Sequence, residues 1–393
     1  MDLLEELKSQ QELMIKTRRD LHRIAELSMK EYKTTEYIKN ALVEMGAEIA
    51  DVDLETGVCA LIRGGKPGPT IGFRADIDAL PIKEESGLEF CSEQEGVCHA
   101  CGHDMHAAIL LSAARWLCSH KDELSGNVRL FFQPGEETLA GARAMIEAGC
   151  MQLDPAPEAM LAFHTYPPYM AGTFGIINGP ATQSCDNIRI TIKSTGGHGA
   201  YPHLCADPVI SAAEVLVQLQ TAISRRNNSM MPAVLTFGSI HGGTAPNIIP
   251  KEVVLDGTLR AAYQQSRDVI KKAVKEIAEH VCAAMGTEVE VEFVGSSTAA
   301  VVNDSQVVSK AENAIKSLFG EQAAIQMPFP TSGSEDFANY LEHCPGALIR
   351  VGTQSPSDPN SALGLHTSKI HFDEQSIYYA AALFCQFALD YLK

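Results

Sequence analysis

The nine residues from Cys98 to His106 carry two cysteines, three histidines and an aspartate, in the order Cys-His-Ala-Cys-Gly-His-Asp-Met-His. Thiolates and imidazoles are the ligands that zinc and similar metals prefer, and such a density of them is rare outside metal sites. Gly102, between Cys101 and His103, allows a turn sharp enough for both side chains to face one point. The segment therefore predicts a metal site. A structural zinc knuckle is the alternative, although it usually needs a second Cys-x-x-Cys, and none follows.

Two pairs of acidic residues follow apolar runs on either side of this segment. Asp76 and Asp78 come after the run 70–73, and Glu136 and Glu137 come after another apolar run and a Pro-Gly turn. Ligand sites in α/β sheets lie at such strand ends, so we expect both pairs near the metal. Neighbouring side chains on an extended segment point in opposite directions, so one glutamate can bind metal while the other faces the substrate water. For either pair alone, solvated surface acids are the alternative.

Three histidines elsewhere in the chain are further candidates for the site. His164 ends the apolar run 159–164, which is the third predicted strand to finish on a ligand-capable residue. His198 lies in the Gly-rich loop 195–203, for which a plain turn is the alternative. His366 lies in a loop after a Ser/Pro-rich segment. A lone histidine is normally a core residue, but His164 is expected at the same sheet edge as the other candidates.

The apolar periodicity predicts the elements that must position these residues. We expect helices at 3–24, 34–45, about 106–120 and 139–148, and strands at 58–62, 70–73, 127–132 and 159–164. From 186 to 293 we expect strands at 186–192, 232–240, 252–260 and 287–293 and helices at 208–226 and 264–285. The remaining residues return to alternation, with a helix opened by 333–337, a strand at 347–351 and a helix at 374–391.

This order of elements predicts an α/β fold in two domains, which a length of 393 residues with 45% hydrophobic content can support. Residues 1–181 and 295–393 are expected to form one domain, a mixed central sheet flanked by helices. Residues 182–294 are expected to form an inserted ferredoxin-like α+β domain, because β-α-β-β-α-β is the order of that sandwich.

The formal net charge is −18, with 49 acidic against 31 basic residues. Proteins that bind nucleic acids or anionic membranes show the opposite balance, so we expect neither as a partner. No run of about 18 apolar residues is present, so we expect no membrane span. The eleven cysteines are irregularly spaced, and the N-terminus lacks the basic and apolar regions of a signal peptide, so we expect a cytoplasmic location.

Taken together, these motifs resemble those of a known family in identity and in order. They are the runs 76–81, 101–106, 134–137 and 333–337, with His164, the His198 loop, Asn247 and His366. The chain resembles the amidohydrolase branch of the aminoacylase and glutamate-carboxypeptidase metallopeptidases, which includes hippurate hydrolases, N-acyl-amino-acid deacylases and auxin-conjugate hydrolases. The combination of Cys-Gly-His-Asp-x-His with Pro-Gly-Glu-Glu is highly specific. The resemblance implies a zinc-peptidase-like catalytic domain with the inserted domain as a lid.

The resemblance also implies a centre of two divalent metal ions, with zinc, manganese, cobalt or nickel as candidates. The residues that match the family's ligand positions are Cys101, His103, Glu137, His164 and His366. The cysteine replaces the carboxylate that bridges the two metals in other branches. Asp76 stands where those branches carry a histidine ligand, so we expect it not to bind metal directly and expect Asp78 to orient the site. Cys98 and His99 match no ligand position.

The reaction that the resemblance implies is hydrolysis of a small molecule, an N-acyl-L-amino acid, to a carboxylic acid and a free amino acid. Glu136 matches the general base that takes a proton from water and passes it to the leaving amine. His198 matches a histidine that stabilises the oxyanion, often from a partner subunit's inserted domain. Asn247 and Arg260 match lid positions that hold the substrate's carboxylate. The family's lid often dimerises, so we expect a homodimer.

Other functions use the same kinds of residue. An N-acetyl-diaminopimelate deacetylase or a metallo-dipeptidase would share this chemistry and differ in pocket shape. A catalytically dead metal-binding scaffold would be indicated by a lost base, whereas Glu136 and every ligand position are filled. A thiol-redox role for Cys98 and Cys101 would need a thioredoxin-like βαβ unit around the pair, and the flanking histidines argue against it.

Overall fold

The structure is a computed structural model that describes residues 2–392. Its α-helices are α1 Leu3–Ser9, α2 Gln11–Arg23, α3 Tyr32–Met45, α4 His103–Ser119, α5 Gly141–Glu147, α6 Pro208–Thr221, α7 Gln264–Met285, α8 Ser305–Phe319 and α9 Gln375–Tyr391. Its strands are β1 Glu48–Ile49, β2 Val58–Arg63, β3 Lys66–Asp76, β4 Ser125–Gln133, β5 Ala159–Met170, β6 Phe174–Ile176, β7 Gly179–Pro180, β8 Cys185–Lys193, β9 Gly197–His198, β10 Ala233–Gly242, β11 Ile248–Ile249, β12 Glu252–Ala261, β13 Glu288–Thr298, β14 Val302–Asn303, β15 Ala324–Gln326 and β16 Gly346–Gln354. Short 3₁₀ helices lie at Lys121–Glu123, Pro202–Leu204, Glu321–Ala323, Asp336–Glu342 and Pro359–Ala362, and a π-helical turn at Ala222–Arg226.

The chain divides into two compact units. Unit 1 consists of the described residues through Gly179, Val301–Phe329 and the described residues from Asp336 onwards, and unit 2 of Pro180–Ala300 and Pro330–Glu335. The predicted domain limits at 182 and 294 remain a proposal, and Met1 and Lys393, which the predicted catalytic domain includes, lie outside the described residues. Within 2–392, no helix combines the length and the apolar character needed to cross a bilayer.

Unit 1 is built on a mixed sheet of eight strands in the order β1-β2-β4-β3-β5-β16-β6-β15. Strands β4, β3, β5 and β16 run parallel to one another. They are near-continuous apolar runs that are buried on both faces over most of their length, as parallel strands between helical layers require. Parallel strands bring their carboxyl ends to one edge of a sheet, and the acidic pairs follow β3 and β4 at that edge.

Helices α4 and α9 pack on each other and on this sheet, and they form the centre of the core of unit 1. Phe384 of α9 stacks on Phe163 of β5 and lies against Phe73 of β3, with ring centroids 3.9 and 4.5 Å away. All three rings are buried, and truncating such a ring to alanine typically costs about 3–5 kcal/mol. Helix α9, which packs on α4, is therefore anchored to the sheet by these rings.

Unit 2 contains a sheet of four strands in the order β10-β12-β8-β13, and all neighbouring pairs are antiparallel. Helices α6 and α7 pack against this sheet and bury Ile190, Val215, Leu255 and Val274 between the two layers. One helix follows the first strand and the other follows the third, which is the arrangement of a ferredoxin-like sandwich. The predicted fold class, α/β with an inserted ferredoxin-like domain, is confirmed.

Two predicted helices have different bounds in the structure. The helix expected at 3–24 is divided at Gln10, whose N–H bonds to the carbonyl of Leu7 and ends α1. The helix expected from about 106 begins at His103, directly after Gly102, whose φ of 86° ends the preceding loop. The candidate ligand His103 is therefore a helical residue of the first turn.

Two further expectations differ in part from the structure. The strand expected to end at His164 continues to Met170, because its parallel pairing with β16 extends past the pair of His164 and Arg350. The motif 333–337 opens a helix, but it is a 3₁₀ helix that starts at Asp336. The Asp336 side chain accepts the N–H of Ala142 over 2.9 Å.

Candidate metal centre

The candidate ligands of unit 1 converge because their strands are neighbours. β3 lies between β4 and β5, and all three are parallel, so the segments that follow β3 and β4 meet at one edge. Asp76 ends β3, the turn 134–137 follows β4, and His164 projects from β5. This is the edge at which open α/β sheets bind their ligands.

The turn from Cys101 to His103 depends on the glycine between them. Gly102 has a φ of 86°, which L side chains rarely adopt. A Cβ at this position would lie 2.9 Å from Cγ2 of Thr165 on β5. The turn can therefore approach β5 closely only with glycine here, and this approach brings Sγ of Cys101 to 3.7 Å from Nε2 of His164.

Groups of three donor atoms that lie within 4.8 Å of one another, which we call donor trios, include all five predicted ligands. Those that contain a predicted ligand are Cys101 with His103 and His164, Cys101 with Glu137 and His366, His103 with Glu136 and Glu137, and Asp76 with His103 and His106. Cys101 belongs to two trios. These five residues are therefore the ones that would hold divalent metal ions.

His366 joins the set from a loop of the C-terminal part of unit 1. Its backbone N–H donates to the carbonyl of Ala100 over 2.9 Å, next to Cys101. Its φ of 64° is uncommon for a residue with a side chain. The imidazole is half exposed, and its Nε2 lies 3.4 Å from Oε1 of Glu137.

The buried atoms of this site fit a divalent metal. Nε2 of His103 and Oε1 of Glu137 are buried, lie 3.9 Å apart, and make no hydrogen bond within residues 2–392. A buried polar atom without a partner costs about 1–3 kcal/mol, and a cation between the two would satisfy both. Burial raises the pKa of the Cys101 thiol to about 12, and metal binding is the usual way in which such a thiol is deprotonated.

Asp78 forms hydrogen bonds with two of the predicted ligands. Its Oδ1 accepts a hydrogen bond from Nδ1 of His103 over 3.0 Å, which leaves Nε2 as the free nitrogen of that ring. Its Oδ2 accepts the backbone N–H of Glu137 over 3.0 Å. Burial alone would raise the pKa of the Asp78 carboxyl, but the hydrogen bond and charge of His103 hold it below its usual value.

Glu136 lies beside the ligands and is 5% exposed. Its Oε2 is 4.0 Å from Nε2 of His103, and Glu136 is absent from the two trios that contain Cys101. The adjacent Glu137 takes part in one of them. The two neighbouring glutamates therefore have different surroundings, as separate chemical roles would require.

The three remaining predicted site residues belong to unit 2 and do not lie together. His198 of β9 pairs with Ile248 of β11, and the backbone of Asn247 accepts the N–H of Gly199 over 2.8 Å, so His198 and Asn247 are neighbours. Both are exposed. The loop that contains Asn247 leads into Glu252, the first residue of β12. Arg260 lies near the other end of this strand, roughly 26 Å away along its axis.

Comparison with known proteins decides the family. The model of peptidase family M20/M25/M40 matches residues 72–390, most of the chain. This chain belongs to the M20 family. The predicted recognition is thus confirmed.

Relatives of this M20 chain include enzymes named for deacetylation. It is 41% identical to the N-acetyl-L-cysteine deacetylase of Bacillus subtilis over 347 residues, which is 88% of this chain and 81% of the relative. It is 35% identical to an N-acetyldiaminopimelate deacetylase of Exiguobacterium sibiricum, over 97% of this chain and all of the relative (100%). A Bacillus subtilis M20 peptidase whose crystal structure is described as dinuclear metal-binding superposes with a TM-score of 0.85 at 33% identity, over 98% and 99% of the two chains.

Asp76 is held by Arg74 and His106, neither of which is among the predicted site residues. Arg74 donates to its Oδ2 over 2.7 Å, and Nδ1 of His106 bonds to its Oδ1. The other nitrogen of His106 accepts the N–H of Thr165 over 2.8 Å, so Nδ1 carries the proton. Arg74 also donates to Asp336 over 3.0 Å. Asp76 is thus engaged in a buried ion pair. In the sequence, the one indication of this ion pair is Arg74, a charged residue on an otherwise apolar strand two positions before Asp76.

A second buried network holds the first turn of α4. Oδ2 of Asp104 accepts hydrogen bonds from Nε of Arg18 over 2.7 Å and from Nδ1 of His22 over 2.8 Å. Nε2 of His22 lies 3.1 Å from a carboxylate oxygen of Glu84. Burial opposes the charged imidazolium, but these carboxylates raise the pKa of His22 above its ordinary value. The sequence indicates this network only through Arg18, a charged residue on the same apolar face of α2 as Met14.

Cys98 and His99 lie outside the donor trios. Cys98 exchanges both backbone hydrogen bonds with Leu80, which places it in a structural bridge. Burial raises the pKa of its thiol to about 12, as for Cys101. Thiols that resist ionisation are poor redox nucleophiles, which argues against the thiol-redox alternative.

Proposed function

We propose that this M20 protein hydrolyses the amide bond of N-acyl-L-amino acids to a carboxylic acid and a free amino acid. The observation that carries the proposal is the arrangement around Cys101, where two donor trios share one sulfur and a separate carboxylate, Glu136, lies beside them. The names of the relatives support acyl amino acids as the substrate class and acetyl as the first acyl group to test.

The proposed cofactors are two divalent metal ions, with zinc, manganese, cobalt or nickel as candidates. The residues proposed to hold them are Cys101, His103, Glu137, His164 and His366. When bound, such ions supply positive charge that polarises an amide carbonyl and makes a water molecule more acidic. Thiolate and imidazole donors favour zinc, and the carboxylate of Glu137 also suits manganese.

Glu136 is the proposed general base. Its carboxylate would take a proton from the attacking water and pass it to the nitrogen of the leaving amino acid. Asp78 would keep His103 and Glu137 turned toward the ions, through the hydrogen bonds described above. With Glu137 as the proposed ligand, Glu136 is left to act as the base. A glutamate that also bound metal would be a weaker base.

His198 is proposed to stabilise the oxyanion, and Asn247 and Arg260 to bind the carboxylate of the substrate. Within unit 2, Arg260 is far from the other two residues. One copy of unit 2 therefore cannot bring both of its ends to one small substrate, so the proposal needs a second copy from a partner protomer. This supports a homodimer in which the partner subunit supplies His198 and Asn247 to each site.

The proposed partners are otherwise limited to the small-molecule substrate, since a net charge of −18 disfavours nucleic acids and anionic membranes. We propose the cytoplasm as the location, because eleven irregularly spaced cysteines fit a reducing compartment. An N-acetyl-diaminopimelate deacetylase is the second candidate, favoured by the relative of that name. A metallo-dipeptidase would use the same centre.

Amino-acid release from a panel of substrates tests the proposed reaction. The panel contains acetyl, benzoyl and long-chain acyl amino acids, N-acetyl-diaminopimelate and dipeptides, each with protein that has been chelated and then reloaded with Mn²⁺, Co²⁺ or Zn²⁺. We expect release to require the metal and to be fastest with N-acetyl amino acids. Release that is unchanged by chelation would contradict the proposal, and a clear preference for dipeptides would favour the peptidase alternative.

Co-expression of two inactive variants tests the shared site. His198→Ala is expected to lower kcat about 10²–10³-fold, as loss of an oxyanion donor typically does. When His198→Ala is co-expressed with Glu136→Gln, each mixed dimer has one intact site, so about a quarter of the parent activity should return by random pairing. No recovery in a preparation shown to contain mixed dimers would mean that His198 acts within its own subunit.

A further inference from the structure

The segment 28–31, between α2 and α3, lies against the part of unit 1 that orients the metal ligands. The hydroxyl of Ser28 donates to Oδ2 of Asp78 over 2.7 Å. The same oxygen accepts the N–H of Glu137. The preceding residue, Leu27, forms a parallel bridge with Ala79. Ser28 therefore attaches the segment to the Asp78 carboxylate, and Leu27 attaches the residue before the segment to Ala79.

Glu31, the last residue of this segment, reaches the turn that carries the proposed base. Its side chain is fully buried (0% exposed), and Oε1 accepts the N–H of Gly135 over 2.9 Å and that of Met29 over 2.7 Å. Burial and the neighbouring charge of Asp78 raise the pKa of the Glu31 carboxyl above its ordinary value. A buried acid beside another acid lowers stability, so its presence suggests a role beyond packing.

The segment and the turn also fit together sterically. Gly135 has a φ of 59°, and a Cβ there would lie 2.5 Å from Sδ of Met29. Met29 itself has a φ of 62°, a strained conformation for a residue with a side chain. This strain is held in place by the hydrogen bond from the Met29 N–H to Glu31. The position of the turn is thus coupled to the conformation of segment 28–31.

We propose that Glu31 is a positioning residue for Glu136, and that segment 28–31 fixes the turn 134–137 on which both glutamates are carried. The inference rests on the proposed function for the identity of the base. Gly135 directly precedes Glu136, so losing the acceptor of its N–H would let the base move. A misplacement of about 1 Å can cost about 10²-fold in rate, because a general base must be within hydrogen-bond reach of the proton it takes.

Glu31→Ala is expected to lower kcat about 10–100-fold with KM within about 3-fold of the parent, since substrate binding is retained and only the base is displaced. Both metal ions should stay bound, because Asp78 still orients their ligands. Hydrogen–deuterium exchange in peptides that span 134–140 should become faster, because the Gly135 amide has lost its acceptor. Glu31→Gln keeps an oxygen for that amide and is expected to retain kcat within about 3-fold and parental exchange.

Glu26→Ala is the matched control. Glu26 lies two residues before the segment, and its carboxylate accepts the N–H groups of Lys33 and Thr34 at the start of α3. Its loss should lower the melting temperature while leaving kcat and the exchange of 134–140 at parental values. If Glu31→Ala does not fold, Glu31→Met fills most of the volume without an acceptor and serves the same comparison.

Several outcomes would overturn the proposal. Parental kcat or parental exchange in Glu31→Ala would mean that Glu31 does not hold the turn. Loss of metal in Glu31→Ala would mean that it acts through the ligands, and a glutamine variant as impaired as the alanine variant would mean that charge, not the hydrogen bond, matters. If the parent itself hydrolyses no substrate, the proposed function fails, and the exchange comparison still decides whether Glu31 holds the turn.

Discussion

Glu136→Gln is expected to lower kcat for N-acyl-amino-acid hydrolysis by about 10²–10⁴-fold, the usual contribution of a general base. Glutamine has the shape of glutamate, so the packing of the turn is retained. Its amide cannot take a proton from water near neutral pH. Metal content should stay at the parental value, because all five proposed ligands, including the His103 and Glu137 that share a donor trio with Glu136, are unchanged.

Glu137→Gln is the matched control for this prediction, because it makes the same change one residue along the chain. Glu137 is a proposed ligand, and an amide is a weaker metal donor than a carboxylate. We expect this variant to lose metal, as measured by elemental analysis, and to recover part of its activity when metal is added in excess. If Glu136→Gln lost metal or stayed active, the roles assigned to the two glutamates would be wrong.

Cys101→Ser is expected to abolish tight binding of both metal ions and therefore activity. The serine hydroxyl has nearly the same shape, but it does not ionise as a thiol does on metal binding. Because the Cys101 sulfur belongs to two donor trios, its loss affects both ion positions. The fall in affinity should exceed the roughly 10–100-fold that is lost when a residue that only orients a ligand is removed.

Cys98→Ser provides a stringent comparison for Cys101→Ser. Cys98 is also buried, lies three residues earlier, and has a thiol whose pKa burial raises to the same value of about 12. It belongs to no donor trio within residues 2–392. We expect Cys98→Ser to keep the parental metal content and kcat. Equal loss of metal in both variants would mean that the serine substitution disturbs the segment as a whole.

The fold class, the family and the amide-hydrolysing enzyme class could be predicted from the sequence, because their signals are local. The dense run around Cys101 and the acidic pairs after apolar strands identify a metal site from short stretches alone. The β-α-β-β-α-β order of unit 2 is read from periodicity in the same way. These predictions are confirmed by the strand order and by the match to the M20 family. The ligand roles remain proposals that the donor trios support.

The residues that support the site could not be predicted, because each acts across a long sequence separation. Glu31 bonds to Gly135, and Arg18 bonds to Asp104, in pairs that only the folded chain brings together. Both residues are charged, so composition places them on the surface, and only their burial reveals their roles. The end of β5, beyond His164, could not be predicted for the same reason. It depends on the pairing of β5 with β16, which the spacing of residues in the sequence does not report.

β16 lies between β5 and β6 in the sheet of unit 1, although all of unit 2 separates it from them along the chain. During synthesis, β5 and β6 are therefore made long before the strand that fills the gap between them, and His366 is made later still. At about 5–20 residues per second, this interval lasts on the order of 10–40 s. Unpaired apolar strand edges template association with other chains. The nascent chain, with its sheet still divided, is thus the stage at which these strand edges are most exposed to association with other chains.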